Sequence, residues 1–216
     1  MNKNIKFLAG ILVFGSLWGF SECIIGPMFS EAGLPSGMIM TGFFALTFMV
    51  MSRRLYPRYG MQAGMGLVAG SLRMINPFGG CHLCSALAIM AEGILFELIF
   101  YSTTTFEFKN LNTWTNKIGL GIFSGYIIYV GGYIITQILT PLTYGQFYIT
   151  NLISMMPQYL ARGLPVALIG AVTIPLAFSV KNVKLTLKDS YYYPTTLGIS
   201  ALCWMIVIAN WIVFTI

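Results

Sequence analysis

Five charged side chains of this chain lie where they could bind a polar solute. They fall inside or at the edge of apolar segments: Glu22, Arg73, Glu92, Glu97 and Arg162. A charge placed in hydrocarbon costs several kcal/mol, so it needs a partner of opposite charge or a water-filled cavity. These residues therefore predict a polar site inside an otherwise apolar protein.

A second candidate site is the motif Cys81-x-x-Cys84, which encloses His82, the only histidine of the chain. A structural zinc site needs four ligands, and this motif supplies three at most. Three interpretations stay open: a structural disulfide or two incidental thiols, coordination of a metal ion or substrate, and thiol–disulfide exchange. Exchange usually needs a second cysteine pair, and Cys23 and Cys203 fall in different predicted helices. The sequence predicts no cofactor apart from a metal ion that Cys81, His82 and Cys84 could coordinate.

Composition sets the class of protein that must position these residues. Of the 216 residues, 57% are hydrophobic and 8% are charged, whereas soluble domains carry about 25% charged residues. The net charge of +6 does not indicate nucleic-acid binding, because the basic residues flank apolar runs and form no patch on a soluble surface. The sequence predicts an all-α integral membrane protein, with one domain over residues 1–216 and the lipid bilayer around it.

Seven apolar stretches are candidates for membrane spans, because a span needs about 20 residues. They cover residues 7–28, 34–51, 60–76, 83–101, 118–140, 151–180 and 195–215. The third is short and glycine-rich, so it is predicted as an interior helix packed on all sides. The sixth is too long for one straight span, and Pro157, Pro165 and Pro175 are expected to break or bend it. Residues 141–161 could then be an outer loop, a re-entrant segment or part of a kinked helix.

The loop charges predict how the chain is oriented. Ten basic residues lie in alternate gaps between the apolar stretches: Lys3, Lys6, Arg53, Arg54, Arg58, Lys109, Lys117, Lys181, Lys184 and Lys188. The positive-inside rule then places the N-terminus in the cytoplasm and the C-terminus outside. No A-x-A cleavage site follows the first basic residues, so residues 7–28 are predicted as a retained helix. We expect a compact bundle of six to seven transmembrane helices in the plasma membrane of a prokaryote.

This orientation places several polar residues near the outer face of the bundle. The candidates for substrate binding are Glu22, Arg73, Asn76, His82, Glu92 and Arg162. Glu22 and Arg73 would offer opposite charges to a zwitterionic or ionic ligand, while Asn76 and His82 would offer hydrogen bonds or coordination. The alternative is an ion pair between Glu22 and Arg73 that locks two helices together.

Glu92 and Glu97 are predicted near the middle of the membrane and deeper in the same helix. They would point about 140° apart, so they do not form a paired-carboxylate site. Either residue could instead cap backbone groups or hydrogen-bond buried hydroxyls.

Glycines recur at four-residue spacing, which lets helices approach closely. The pairs are Gly15/Gly19, Gly60/Gly64, Gly66/Gly70 and Gly121/Gly125. They indicate packing inside the bundle or, for Gly15 and Gly19, docking of a partner membrane protein. The sequence has no phosphate-binding G-x-x-x-x-G-K-[ST] loop and no H-E-x-x-H, so it does not predict an enzyme. Active transport would draw its energy from an ion gradient or from another subunit.

Several short stretches resemble small bacterial and archaeal membrane proteins allied to the substrate-binding (S) components of energy-coupling factor transporters. They are Phe14–Glu22, Gly33–Gly37, Arg53-Arg54, Gly70–Arg73 and Ala88–Gly93, within a similarity that covers roughly residues 7–100. The resemblance implies about six helices around an outward-facing pocket. It also implies docking through Gly15 and Gly19 to a transmembrane coupling protein that two cytoplasmic ATPases drive. The seventh apolar stretch departs from this pattern.

The leading hypothesis is therefore a membrane subunit that captures a small polar or metal-containing solute from outside and is energised by a partner module. The first alternative is a membrane thiol–disulfide oxidoreductase that uses Cys81 and Cys84. The second alternative is a structural membrane subunit with no ligand of its own.

Overall fold

The computed structural model describes residues 3–76, 82–102, 113–144, 149–179 and 189–215, and regular structure within them is entirely helical. In chain order the elements are α1 (Lys3–Phe20), the π-helical segment π1 (Ser21–Ile25), α2 (Gly26–Glu31), α3 (Ser36–Ile39), the π-helical segment π2 (Met40–Ala45), α4 (Leu46–Leu55), α5 (Met61–Ile75), α6 (His82–Ser102), α7 (Trp114–Tyr144), α8 (Ile149–Ser179) and α9 (Asp189–Thr215). The predicted all-α class is confirmed for this part of the chain.

Six helical stretches are long and apolar enough to cross a membrane. They are Asn4–Glu31, Ser36–Leu55, Leu83–Phe100, Trp114–Thr140, Leu152–Ser179 and Tyr191–Val213. The first joins α1, π1 and α2, and the second joins α3, π2 and α4. The third predicted segment forms α5, whose 15 residues extend about 22 Å, less than the hydrocarbon core of about 30 Å. Six helices therefore meet the length of a span, and α5 is the short additional one.

The prediction that α5 is packed on all sides is wrong. Leu67, Ser71 and Met74 form an exposed stripe at the spacing of one helix face. The opposite face is buried and contains Met65 and Leu72. The helix is therefore one-sided, and its small residues serve contacts with α1 and α6.

The prolines of the sixth segment were expected to break or bend it, and the break is absent. The helix α8 runs without interruption from Ile149 to Ser179 and contains Pro157, Pro165 and Pro175. Prolines are tolerated in membrane helices because neighbouring groups satisfy the backbone atoms that they leave unpaired. Of the predicted segment 141–161, the first residues end α7 and residues 149–161 begin α8, while residues 145–148 lie outside the described part.

Neighbouring helices can be oriented by their close contacts. Successive glycines show that α1 and α5 run parallel, because Gly15 lies against Val68 and Gly19 against Leu72. Helices α5 and α6 are antiparallel, because Gly70 contacts Ala86 and Gly93 contacts Gln62. Helices α6 and α7 are also antiparallel, with the contacts Gly132–Ala88 and Gly131–Leu95. Helices α7 and α8 are antiparallel as well, with the contacts Gly125–Val166 and Gly121–Gly170. The chain therefore crosses the bundle in alternating directions.

One end of the bundle, called here the basic end, collects the described loop cations. Arg58 Nη1 donates to Asn4 Oδ1 at 3.0 Å, and Arg54 Nη1 donates to the Ala177 carbonyl at 2.7 Å. Lys117 lies 5.5 Å from the centroid of the Phe178 ring. The starts of α1 and α7 thus lie beside the ends of α4 and α8. Arg54, Arg58 and Lys117 are therefore at the same end of the bundle, as predicted from the basic residues in alternate gaps of the sequence.

Of the two roles expected for Gly15 and Gly19, packing inside the bundle is present, because both residues are buried against α5. A Cβ atom on Gly15 would lie 2.7 Å from the Val68 side chain, and one on Gly19 would lie 2.8 Å from Leu72 Cδ1. Contacts this short would force the helices apart. The pair serves close packing of α1 on α5, which leaves this face unavailable to a partner.

Candidate functional site

A cavity of about 340 Å³ lies in the half of the bundle away from the basic end. It is lined by residues of π1, α3, π2, α6, α7 and α8. Its polar wall includes Glu22, Thr41, Ser85, Glu92, Tyr133 and Tyr159. Ligand sites for small molecules usually occupy about 300–1,000 Å³, so this cavity has the size for a small solute.

Both π-helical segments form part of the cavity wall. Segment π1 contributes Glu22, and π2 contributes Met40 and Thr41. A π-helical turn accommodates one more residue than an α-helical turn, and such turns are frequent at functional sites. In these membrane-length helices, the two irregular turns therefore lie where Glu22 and Thr41 face the cavity.

Glu92 is the most deeply buried carboxyl group of the cavity wall, with 6% of its surface exposed. Its Oε1 accepts a hydrogen bond from Thr41 Oγ1 at 2.7 Å. Its Oε2 is buried and has no hydrogen-bond partner within the described residues. Buried polar atoms are nearly always hydrogen-bonded, so an unpaired carboxyl oxygen at a cavity marks a position for a ligand group.

Glu22 supplies the second carboxyl group of the cavity wall. Its Oε1 accepts a hydrogen bond from Trp18 Nε1 at 3.3 Å, and Trp18 is fully buried. Arg73 and Glu92 both lie near enough to interact electrostatically with Glu22. The predicted proximity of Glu22 and Arg73 is therefore present, and it occurs beside a cavity.

Arg73 does not line the cavity and reaches it through another residue. It is 6% exposed, and its Nε donates to Ser85 Oγ at 3.2 Å. Ser85 is part of the cavity wall. A second atom of the guanidinium, Nη1, is buried without a hydrogen-bond partner among the described residues. Arg73 therefore contacts a residue of the cavity wall, and the ligand contact predicted for it stays a prediction.

Three tyrosines complete the cavity and were not predicted from the sequence. The rings of Tyr133 and Tyr159 stack with centroids 3.4 Å apart, and Tyr129 lies 6.0 Å from Tyr159. The Tyr133 hydroxyl is buried and has no hydrogen-bond partner within the described residues. A polar stripe on α7 could have identified two of them, because Tyr129 and Tyr133 share the spacing of one helix face with Thr136 and Gln137.

Two of the other predicted ligand-binding residues, Asn76 and Arg162, lie outside the cavity wall. Asn76 is buried and donates from Nδ2 to the Cys23 carbonyl at 2.8 Å, which ties the end of α5 to π1. Arg162 is exposed on α8 and interacts with Tyr129, a residue of the wall. His82 begins α6, but its side chain lies outside the described part of the chain.

Glu97 has a separate role at the start of α5. Its side chain is 2% exposed and accepts hydrogen bonds from the backbone N–H groups of Gly60 and Ala63, the latter at 2.8 Å. The first N–H groups of a helix have no partner within the helix, so Glu97 caps α5 from outside. Glu92 and Glu97 therefore do not form a carboxylate pair. Glu92 accepts a hydrogen bond from a buried hydroxyl and Glu97 caps backbone groups, which are the two alternatives expected for them.

The cysteines differ in state. Cys84 is disulfide-bonded and lies on the cavity wall, whereas Cys23 and Cys203 are buried free thiols. Cys81 lies outside the described residues. Among the residues that are described, no three histidine, cysteine, aspartate or glutamate side chains come together. The metal-binding and thiol-exchange hypotheses for the Cys81–Cys84 motif stay predictions.

Thiol labelling checks the state of the cysteines. We expect a maleimide to label almost no thiol of the folded protein, because Cys23 and Cys203 are buried. Unfolding without reductant should expose these two thiols, and adding reductant should raise the number, because Cys84 is then released. Mass spectrometry of the labelled protein counts them. An equal count with and without reductant would contradict the disulfide.

Comparison with known proteins finds no match for the chain among family models, curated proteins or solved structures.

Proposed function

We propose that this protein is a membrane solute-binding subunit whose cavity between π1, α3, π2, α6, α7 and α8 captures a small polar solute. One observation carries the proposal: on the wall of this cavity, Glu92 Oε2 and the Tyr133 hydroxyl are buried and have no hydrogen-bond partner among the described residues. An unsatisfied buried polar group costs about 1–3 kcal/mol. A bound polar solute would supply the missing hydrogen bonds and offset this cost.

The proposed direction of capture follows from the basic end. Cytoplasmic loops are rich in lysine and arginine, so the basic end is assigned to the cytoplasm of a prokaryotic cell. The cavity then lies in the outer half of the membrane, and the C-terminal helix α9 ends outside. The solute would accordingly enter from outside the cell.

The energy for transport would come from a partner module. The sequence has no phosphate-binding loop of its own. The resemblance to S components suggests a transmembrane coupling protein with cytoplasmic ATPases as that module. Because α5 covers Gly15 and Gly19, such a partner would contact a different face of the bundle.

A cavity-filling variant tests the proposed site. Ala88 lies on the cavity wall, so Ala88→Trp should fill the cavity and abolish the stabilisation that a bound solute gives. A solute at 100 times its Kd stabilises by about 2.7 kcal/mol, which thermal unfolding in detergent detects. The panel of probes holds small cationic, zwitterionic, anionic and neutral polar solutes.

The matched control is Leu168→Trp, because Leu168 is 67% exposed on the lipid-facing side of α8. We expect it to bind the solute as the parent protein does. The proposal fails if no solute of any class stabilises the parent protein. It also fails if Ala88→Trp and Leu168→Trp retain the same stabilisation.

A further inference from the structure

The charge of the cavity wall is one-sided. Two of its residues, Glu22 and Glu92, carry carboxyl groups, and neither lysine nor arginine occurs among the described residues that line it. Carboxyl groups that face a buried cavity need donors or positive charge to offset their desolvation. The composition of the wall therefore favours a positively charged ligand group.

The two carboxyl groups are unequally satisfied by the protein. Glu22 receives the Trp18 indole N–H and the nearby charge of Arg73. Glu92 receives only the Thr41 hydroxyl on Oε1, and Oε2 has no partner in the described part of the chain. A ligand cation is therefore needed most at Glu92.

An aromatic part of the same wall suits an organic cation. Tyr129, Tyr133 and Tyr159 form an aromatic cluster on α7 and α8 that borders the same cavity. Aromatic rings attract ammonium groups and also contact the alkyl part of a ligand. A volume of about 340 Å³ leaves room for more than a bare ion.

We propose that the cavity binds a small organic cation whose single ammonium group lies between Glu22 and Glu92 and whose carbon skeleton packs on the tyrosine cluster. This inference rests on the proposed function and names the class of its solute. Glu92 is then a specificity-determining residue, and Arg73 is a positioning residue that holds Ser85.

The test compares cations with uncharged molecules of the same shape. The first pair is choline and its carbon analogue, in which a tert-butyl group replaces the trimethylammonium group. The second pair is propylammonium and propanol, which covers a cation that carries N–H donors. We expect one cation to bind the purified protein roughly 10- to 100-fold more tightly than its uncharged counterpart, as the loss of a charged contact predicts. Isothermal titration in detergent measures both affinities.

Two variants assign this preference to the cavity. Glu92→Gln keeps the shape of the side chain and should reduce the preference to less than threefold, because the charged contact is lost. Glu31→Gln removes an exposed carboxyl group near the end of the first span and should leave the preference unchanged. Equal loss in both variants would overturn the inference, because a general change of surface charge would then explain it.

The outcomes separate this inference from the proposed function. If a neutral or anionic solute binds and Ala88→Trp removes that binding, the cavity is a solute site but the cation inference is overturned. If no solute of any class binds, both are overturned. The comparison of each cation with its uncharged counterpart uses the unmodified protein, so it stands even where Glu92→Gln fails to fold.

Discussion

Replacing Glu97 by alanine should lower the free energy of unfolding by roughly 2–5 kcal/mol, because two partly buried backbone N–H groups would lose their acceptor. These groups belong to Gly60 and Ala63, which are the residue before α5 and its third residue. Gly60 has a φ of 89° and no side chain, so it cannot provide the cap that serine or aspartate usually gives. Glu97 caps α5 from the neighbouring helix α6, and it lies 34 residues after Ala63 in the sequence.

The measurement is an SDS titration in mixed micelles followed by tryptophan fluorescence. Glu97→Gln should cost less than Glu97→Ala, because the amide oxygen still accepts one hydrogen bond. The control is Glu31→Ala, which removes an exposed carboxyl group of α2. A loss in Glu97→Ala no larger than in this control would show that the cap contributes nothing.

The second large effect is expected where α7 crosses α8. At this point Gly121 contacts the backbone of Gly170 directly, and a Cβ atom on either residue would overlap the other. Alanine in a helix is ordinarily more favourable than glycine by about 1 kcal/mol. Here the sign should reverse, because the two backbones would have to move apart, and overpacking of this kind costs about 1–3 kcal/mol or more.

The same SDS titration compares Gly121→Ala with Gly119→Ala, two residues earlier in α7. A Cβ atom on Gly119 meets nothing within 4 Å, so this variant should be neutral or slightly stabilising. We expect the difference between the two variants to reach roughly 2–4 kcal/mol. Similar stability of the two variants would mean that α7 and α8 do not cross as closely as described.

Much of the fold could be predicted because the hydrocarbon core imposes a length and a polarity on each span. The predicted stretch 34–51 corresponds to the span Ser36–Leu55, and 118–140 corresponds to Trp114–Thr140. The errors concern the packing of α5 and the continuity of α8. For both helices, the sequence gives the composition but does not show which helices pack against them. The exposed stripe of α5 depends on which helices surround it, and the continuity of α8 depends on how its prolines are accommodated.

The sequence identified only those residues of the candidate site that carry a charge in an apolar segment. Glu22 and Glu92 stood out because carboxyl groups are costly in a membrane. Arg73 was predicted to touch the ligand, and its rotation about the axis of α5 points it to Ser85 of the cavity wall. The tyrosines escaped notice because aromatic residues are common in membrane helices, and their stacking joins α7 to a residue of α8 that lies far along the chain.

The contact between α9 and α1 has a consequence for the synthesis of the protein. Trp204 donates from Nε1 to Ser16 Oγ across 188 residues of sequence, and α9 is the least buried of the six spans. At about 5–20 residues per second, the ribosome needs roughly 10–40 s to make the chain between these two residues. For that time the side of α1 that carries Ser16 lacks its final neighbour, although α5 is already available to pack on Gly15 and Gly19. Until α9 arrives, the polar hydroxyl of Ser16 faces the insertion machinery or lipid and lacks the Trp204 donor. Helix α1 enters the membrane before the other described helices, yet its packing is completed last.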